Sequence, residues 1–213
     1  MEKNEILSRI DHTLLKPFAT WEMIEKLCKE AVEHKTASVC VPPCYVKRIR
    51  ENFPDLTICT VVGFPLGYET TAAKIKDSQQ CIEDGVDEID MVINICEVKN
   101  GNFDFVEDEI RQLRAVTKGK ILKVIIETCY LTDDEKRKLC KCVTAAGADY
   151  IKTSTGFGTA GATLDDVKLF TEEIGENVKI KAAGGIKTAA QAEEYIKLGC
   201  DRVGASSVVG DLC

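Results

Sequence analysis

The sequence predicts an α/β protein, a single closed (β/α)8 barrel of the TIM type covering residues 1–213, and three observations carry that prediction. Short apolar or β-branched runs alternate with longer segments of helical period along the whole chain. There are eight such runs, at residues 10–15, 37–41, 56–62, 88–93, 121–127, 149–153, 178–182 and 202–205. Several are apolar almost without interruption, as parallel strands covered on both faces must be. Glycine then recurs just ahead of a strand in "GVDEIDMV", "GADYIKTS" and "GCDRVGAS", at Gly85, Gly147 and Gly199. That echo marks one repeated turn, the return from a helix into the next strand.

The elements follow in order. A short helical segment is expected ahead of the first run. Thr20 opens a helix whose Ile24, Leu27, Cys28, Ala31 and Val32 fall on one stripe. Thr132 with Glu135, and Thr188 with Gln191, have the spacing of capping boxes, and Thr163 caps the helix through Phe170. Little chain follows the eighth run, so its helix is expected to be short. No linker or low-complexity stretch divides the chain, and its length is below the ~250 residues usual for such barrels, so the loops should be spare. A doubly wound open sheet is the runner-up, and it would hold its ligand where the strand order reverses.

Composition narrows the function. The chain is 45% hydrophobic and 30% charged, with 15 glycines, 5 prolines and a net charge of −7. That charge argues against nucleic acid as a partner. No apolar run approaches the ~20 residues of a membrane span, and residues 1–8 lack the apolar stretch of a signal peptide. The 11 cysteines show no paired zinc-site spacing, and His12 and His34 are the only histidines. Free thiols in a reducing cytoplasm, with no Cys/His metal site, are therefore expected.

In a barrel, function gathers at the carboxyl ends of the strands. The fourth strand carries Asp90, the fifth Lys123 and Glu127, the sixth Lys152, and the seventh Lys179 and Lys181. Lysine is almost never fully buried unless it is paired. One reading is an ion-pair network joining Lys123, Lys152 and Lys181 to Asp90 and Glu127. The other is chemical. A lysine amine attacks a carbonyl only when neutral, and burial or a second cation favours the neutral form. Lys152 and Lys181 supply such a pair on adjacent strands; the residues alone do not say which is the nucleophile. Asp90, two strands from Lys152, is placed to move protons.

The last two strands end in glycine and serine: "AAGGI" at 182–186 and "GASS" at 204–207. Backbone amides in such turns hold phosphate in many barrels. Gly184, Gly185, Gly204, Ser206 and Ser207 are the candidates, with Gly156 at the rim and Lys187 adding charge. The alternative is that these are ordinary turns using glycine for its backbone freedom. Cys40 faces the site or is a small buried hydrophobe. His12 is read as a structural histidine, and "CVPPC" as a turn.

The blocks "IDHTLLKP", "SVCVPPCYV", "VVGFPLG", "EIDMVIN", "LKVIIET", "IKTSTGFGTAGAT", "KAAGGI" and "VGASS" occur in that order between residues 10 and 207. Together they resemble the deoxyribose-phosphate aldolases of the short bacterial type. The resemblance implies a cofactor-free class I aldolase that cleaves 2-deoxy-D-ribose 5-phosphate to D-glyceraldehyde 3-phosphate and acetaldehyde. It makes Lys152 the Schiff-base lysine, Lys181 the second lysine that activates it, and Asp90 the proton donor and acceptor. It places Asp11, Thr13, Cys40, Lys123 and Thr155 along the substrate pocket and implies a homodimer. Pro42, Cys96, Ala160 and Val208 depart from the family pattern, which bears on loop geometry and substrate reach rather than on the reaction. Two other readings stand beside it: another phosphosugar aldolase or isomerase, and a noncatalytic barrel that binds a phosphorylated ligand. Isomerases of this architecture need no lysine pair, and a binding barrel needs no intact set of Lys152, Lys181 and Asp90.

Overall fold

The computed structural model describes residues 1–213. Eight strands close into a barrel in sequence order, every neighbouring pair parallel and β8 returning to β1. They are β1 (Ile10–Thr13), β2 (Ser38–Val41), β3 (Ile58–Val62), β4 (Glu88–Val92), β5 (Ile121–Ile125), β6 (Tyr150–Lys152), β7 (Lys179–Ala183) and β8 (Arg202–Ala205). The open-sheet alternative is excluded by the β1–β8 pairing. Most strands are shorter than the apolar runs that announced them, because apolar sequence continues past the ladder into buried loops. After β5, for instance, Ile126 and Glu127 remain buried, but Glu127 turns to a left-handed φ of 54° and ends the strand direction.

Ten helices surround the barrel: α1 (Lys3–Leu7), α2 (Trp21–His34), α3 (Val46–Asn52), α4 (Thr71–Glu83), α5 (Ile95–Lys99), α6 (Phe103–Val116), α7 (Asp133–Ala145), α8 (Leu164–Glu173), α9 (Ala189–Lys197) and α10 (Val208–Leu212). α1 is the expected short leading segment, and α10 has only 5 residues. The hydroxyls of Thr20, Thr70, Thr132, Thr163 and Thr188 each accept a backbone N–H in the first turn of the following helix. Both predicted capping boxes are formed. Gly85, Gly147 and Gly199 adopt φ of 96°, 75° and 110° just past α4, α7 and α9, a conformation that an L side chain would strain. No helix is long and apolar enough to cross a membrane.

The two faces of the strands have opposite chemistry. Outward residues such as Val39, Val41, Ile58, Ile89, Met91, Leu122, Val124, Ile151, Ile180 and Val203 join the helices in one continuous apolar core. Inward residues come from alternate positions, and four residues from alternate strands share each level. Reading the strand registers upward, Ser38, Glu88, Tyr150 and Arg202 form the lowest level, and Asp11, Cys59, Lys123 and Lys181 the next. Cys40, Asp90, Lys152 and Gly204 follow, and Thr13, Val61, Ile125 and Ala183 lie at the top. The second and third levels are buried yet strongly polar, and the third meets the cavity above it at Lys152 and Gly204, which positions the site.

Candidate active site

Asp90 stands at the centre of the buried charges. Lys152 Nζ and Lys181 Nζ each donate to its Oδ2 at 2.7 Å. Lys123 Nζ donates to Oδ1 at 2.9 Å and to Glu88 Oε2 at 2.5 Å. The Cys59 thiol also donates to Asp90 Oδ1, at 3.1 Å. One level down, Lys181 Nζ pairs with Asp11 Oδ2 at 2.5 Å, and Arg202 donates to Asp11 Oδ1 at 2.5 Å and to Glu88 Oε1 at 3.0 Å. Ser38 Oγ donates to the same Asp11 oxygen at 2.8 Å.

Four cations, Lys123, Lys152, Lys181 and Arg202, thus share three carboxylates, Asp11, Glu88 and Asp90. Burial works against ionisation here, but at Asp90, Asp11 and Lys181 the crossed pairing outweighs it. Burial pushes the Asp90 carboxyl up, yet Lys123, Lys152 and Lys181 together hold it well below the usual carboxylate range. Asp11 is also held low against burial, by Lys181, Lys123 and Arg202. Burial pushes Lys181 down, and Asp11 and Asp90 more than reverse it, so that its ammonium is held above the ordinary lysine range. Lys152 differs from the other two lysines in its company. It contacts one carboxylate, whereas Lys181 contacts two and Lys123 three.

Lys152 also lies beneath an opening. A cavity of about 170 Å³ sits above it, lined by Thr13, Lys152, Thr155, Gly156, Gly184, Gly185, Gly204 and Ser206 among the residues singled out from the sequence. Leu14, Leu15, Lys16, Phe157, Ala183, Ile186 and Ala205 complete its wall. The backbone N–H groups of Gly156, Gly184, Gly185, Ile186, Ser206 and Ser207 donate to no protein acceptor. Gly156, Gly185, Ser206 and Ser207 are exposed, so their amides are open to water; all of the six residues except Ser207 line the cavity, and free amides there can serve as an anion cradle. Gly184 and Gly185 make it with φ of 85° and 78°. The loop 156–161 reaches over this turn: a Cβ on Gly161 would stand 2.1 Å from the Gly184 carbonyl oxygen. The spacing of Gly156, Gly158 and Gly161 also fits a dinucleotide-binding pattern, but a closed barrel offers no reversal of strand order to hold a dinucleotide.

Some expected residues lie elsewhere. Asp11, Cys40 and Lys123, read as pocket-lining, stand in the two buried levels and do not reach the cavity, because the inward residues above close over them. Lys187 is exposed outside the cavity wall, and the Ser207 hydroxyl donates to its carbonyl oxygen at 2.9 Å, tying the two last loops together. Glu127 pairs with no lysine. It accepts the Thr155 N–H at 3.1 Å and the Thr155 hydroxyl, and so fixes the loop after β6. His12 points outward, where Glu30 Oε2 lies 2.8 Å from its Nε2, consistent with a structural histidine. Glu88, Arg202, Cys59 and Lys16 were not singled out. Glu88 and Arg202 each open an apolar strand with a charge, a signal available in the sequence. Cys59 had none, since an isolated cysteine in an apolar strand reads as packing.

The fold and this site define a class first: a parallel barrel with a buried lysine–carboxylate cluster beneath the cavity at the carboxyl ends of its strands. The chain belongs to the DeoC/LacD family of aldolases, whose family model matches residues 6–208. It is 60% identical over 211 residues to the deoxyribose-phosphate aldolase of Clostridium botulinum (strain Alaska E43 / Type E3), covering 99% of this chain and 96% of that one. The deoxyribose-phosphate aldolase of Clostridioides difficile (strain 630) is 54% identical over 204 residues, 95% and 93% of the two chains. Among solved structures, the aldolase QR15 superposes with a TM-score of 0.93 at 36% identity, over 97% of this chain and 95% of that one. The deoxyribose phosphate aldolase of Aeropyrum pernix, described as a tetramer, superposes with a TM-score of 0.88 at 30% identity, over 99% and 91%.

Proposed function

We propose that this barrel, read as one domain over residues 1–213, reversibly cleaves 2-deoxy-D-ribose 5-phosphate to D-glyceraldehyde 3-phosphate and acetaldehyde through an imine on Lys152. The observation that carries the reading is the sharing of one Asp90 oxygen by Lys152 and Lys181 at the floor of a cavity whose far wall is a cluster of free amides. Charge counting supports Lys152 as the nucleophile. With all seven groups ionised the interior carries one excess positive charge, and uncompensated charge is expensive in a low-dielectric core. A neutral amine at Lys152 leaves three cations facing three carboxylates, and it removes the contact fewest carboxylates share.

The reaction follows from this arrangement. The phosphate rests on the amides of Gly184, Gly185 and Ser206, and the sugar aldehyde reaches down to Lys152. The Lys152 amine adds to C1, water leaves, and a protonated imine forms. Removal of the proton on the C3 hydroxyl lets the C2–C3 bond break, its electrons passing to the iminium as an enamine, while glyceraldehyde phosphate departs. Protonation of the enamine at C2 restores an iminium, which water hydrolyses to acetaldehyde and free Lys152. Lys181 supplies the standing positive charge beside the amine, and Asp90, bonded to both nitrogens, relays protons between them and water at the cavity floor. The phosphosugar and aldehyde are the partners in this reading, in a reducing cytoplasm that suits eleven unbridged thiols. A homodimer, the implied assembly, is checked by light scattering.

Borohydride reduction in the presence of acetaldehyde tests the assignment. A reduced adduct mapped to Lys152 is expected. An adduct on Lys181 reverses the two roles, and binding of the phosphosugar with neither adduct nor turnover leaves the noncatalytic barrel.

A further inference from the structure

Cys40 and Cys59 are Cα partners on the adjacent parallel strands β2 and β3. Both turn inward, both are fully buried, and their sulfurs lie within 4.8 Å of each other and of an Asp90 carboxylate oxygen. Directly paired residues on neighbouring strands have Cα atoms roughly 4.8 Å apart, inside the range of about 4.4–6.8 Å that a disulfide spans. We propose that Cys40 and Cys59 form an oxidant-reactive dithiol inside the barrel, which a hydroperoxide converts to a disulfide that disables the Asp90 centre.

The pair is not equivalent, and the asymmetry assigns the steps. The thiol of Cys59 donates to Asp90 Oδ1 and receives Lys123 Nζ at 3.3 Å, so its proton is engaged by a carboxylate. Burial and Cys40 push its thiol up, whereas the neighbouring Cys59 and the Lys181 ammonium shift the Cys40 thiol down against burial. Cys40 is therefore the attacking sulfur. Its thiolate displaces hydroxide from hydrogen peroxide and becomes a sulfenic acid. The Cys59 sulfur then attacks that sulfenic sulfur, forming the S–S bond and releasing water, so two thiols and one peroxide give one disulfide and two waters. Neither sulfur reaches the substrate cavity, so peroxide has to pass the layer of side chains between that cavity and the pair. Thr13, the strand neighbour of Cys40, lines the cavity, and so does Leu15, which packs on the thiol pair. Disulfide formation removes the Cys59 hydrogen bond to Asp90 and draws the sulfur from Lys123, so the proton-relay carboxylate loses a donor on the oxygen away from Lys152. The thiol chemistry does not rest on the proposed aldol reaction, and its primary readout is covalent.

Cys44 is exposed and shares a tryptic peptide with Cys40, so the test uses the full chain carrying Cys44→Ser. It is treated with hydrogen peroxide, alkylated under denaturing conditions, digested and mapped. A crosslink joining the Cys40 and Cys59 peptides, reversed by dithiothreitol together with any loss of cleavage activity, is expected. In Cys59→Ser on the same background, Cys40 should stop at the sulfenic acid and be captured by dimedone. Cys40 and Cys59 both still alkylatable after Cys96 and Cys213 have oxidised would overturn the proposal. So would dimedone failing to label Cys40 in the Cys59→Ser protein. If the crosslink forms and no retro-aldol activity exists in the untreated chain, the dithiol stands and the aldolase reading falls.

Discussion

Two clusters in this molecule bury a lysine completely, and they differ in every respect that matters for reactivity. Lys74 of α4 faces Glu109 of α6 outside the barrel, one cation to one carboxylate, with Nζ 2.9 Å from Oε2. The pair is also satisfied by its surroundings: Lys74 donates to the Val92 carbonyl at 2.8 Å, and Glu109 accepts from Thr71 and from the Asn94 N–H. No cavity touches Lys74 or Glu109 among the four principal ones. Inside the barrel, Lys152 belongs to a set with more cations than carboxylates and lies under an opening. Ionisation responds in opposite senses. In the helix pair burial wins, lowering Lys74 and raising Glu109. In the barrel, crossed pairing wins, depressing Asp90 and elevating Lys181. Burial alone therefore does not make a lysine reactive. What sets Lys152 apart is its place: it contacts a single carboxylate in a set with more cations than carboxylates, and it lines the cavity.

The sharpest way to break this contrast is to remove each lysine. Lys152→Leu is expected to abolish the borohydride adduct and lower the cleavage rate by roughly 10³-fold or more, while the melting temperature is held, since the interior then has equal numbers of each charge. A stable Lys152→Leu protein that still cleaved the phosphosugar at near its normal rate would end the assignment. Lys74→Met should do the reverse. It strands Glu109 in an apolar site and costs about 3–5 kcal/mol in urea unfolding, yet the folded fraction keeps its activity. Adding Glu109→Gln should recover most of that stability, because the orphaned charge is gone. No recovery in the double variant would mean that the cost lay in packing rather than in charge.

Acid titration separates the clusters by sign. Asp11 and Asp90 have folded values below the ordinary aspartate value of about 3.9, so the folded state binds fewer protons there than the unfolded chain. Their contribution is fully present above that value and is lost as pH falls through the range beneath it. Glu109 is shifted upward and contributes in the opposite direction. Asp90→Asn should therefore flatten the acid limb of the stability profile below about pH 4, and Glu109→Gln with Lys74→Met should steepen it or leave it unmoved. Urea midpoints measured across pH decide between them.

Much of the barrel was legible because its signals are local. The threonine caps, the three αβ glycines and the apolar runs each report on neighbouring residues, and a closed ladder of eight follows from their alternation. Lysines in buried strands announced a charged interior for the same reason. What sequence could not supply was level and partner. Lys123 and Lys152 have similar local settings, but the stagger of the barrel drops Lys123 into the enclosed level with Asp11 and lifts Lys152 to the cavity. Glu127 follows a strand as a catalytic acid would, yet its left-handed backbone turns it to Thr155. The pairing of Cys40 with Cys59 depends on register between β2 and β3, which no run of either strand encodes alone.

The smallest effect tests the other end of the cavity, where the site is made of backbone rather than side chains. Ser206 lines the cavity beside Gly204, and its N–H has no protein acceptor. Ser206→Ala keeps that amide and removes only the hydroxyl. A hydrogen bond to a charged group contributes about 1.5–3 kcal/mol, so a direct bond to the phosphate would show as roughly a tenfold or larger rise in KM for the phosphosugar. The rise should be absent for unphosphorylated deoxyribose, and kcat should change little, because the lysine–carboxylate floor is untouched. Equal rises for both sugars would place the hydroxyl against the sugar instead of the phosphate, and no rise for either would leave recognition to the amides of Gly184 and Gly185. The amide cradle and the lysine floor are then separable by kinetics, one acting on binding of the phosphorylated substrate and the other on the chemical step.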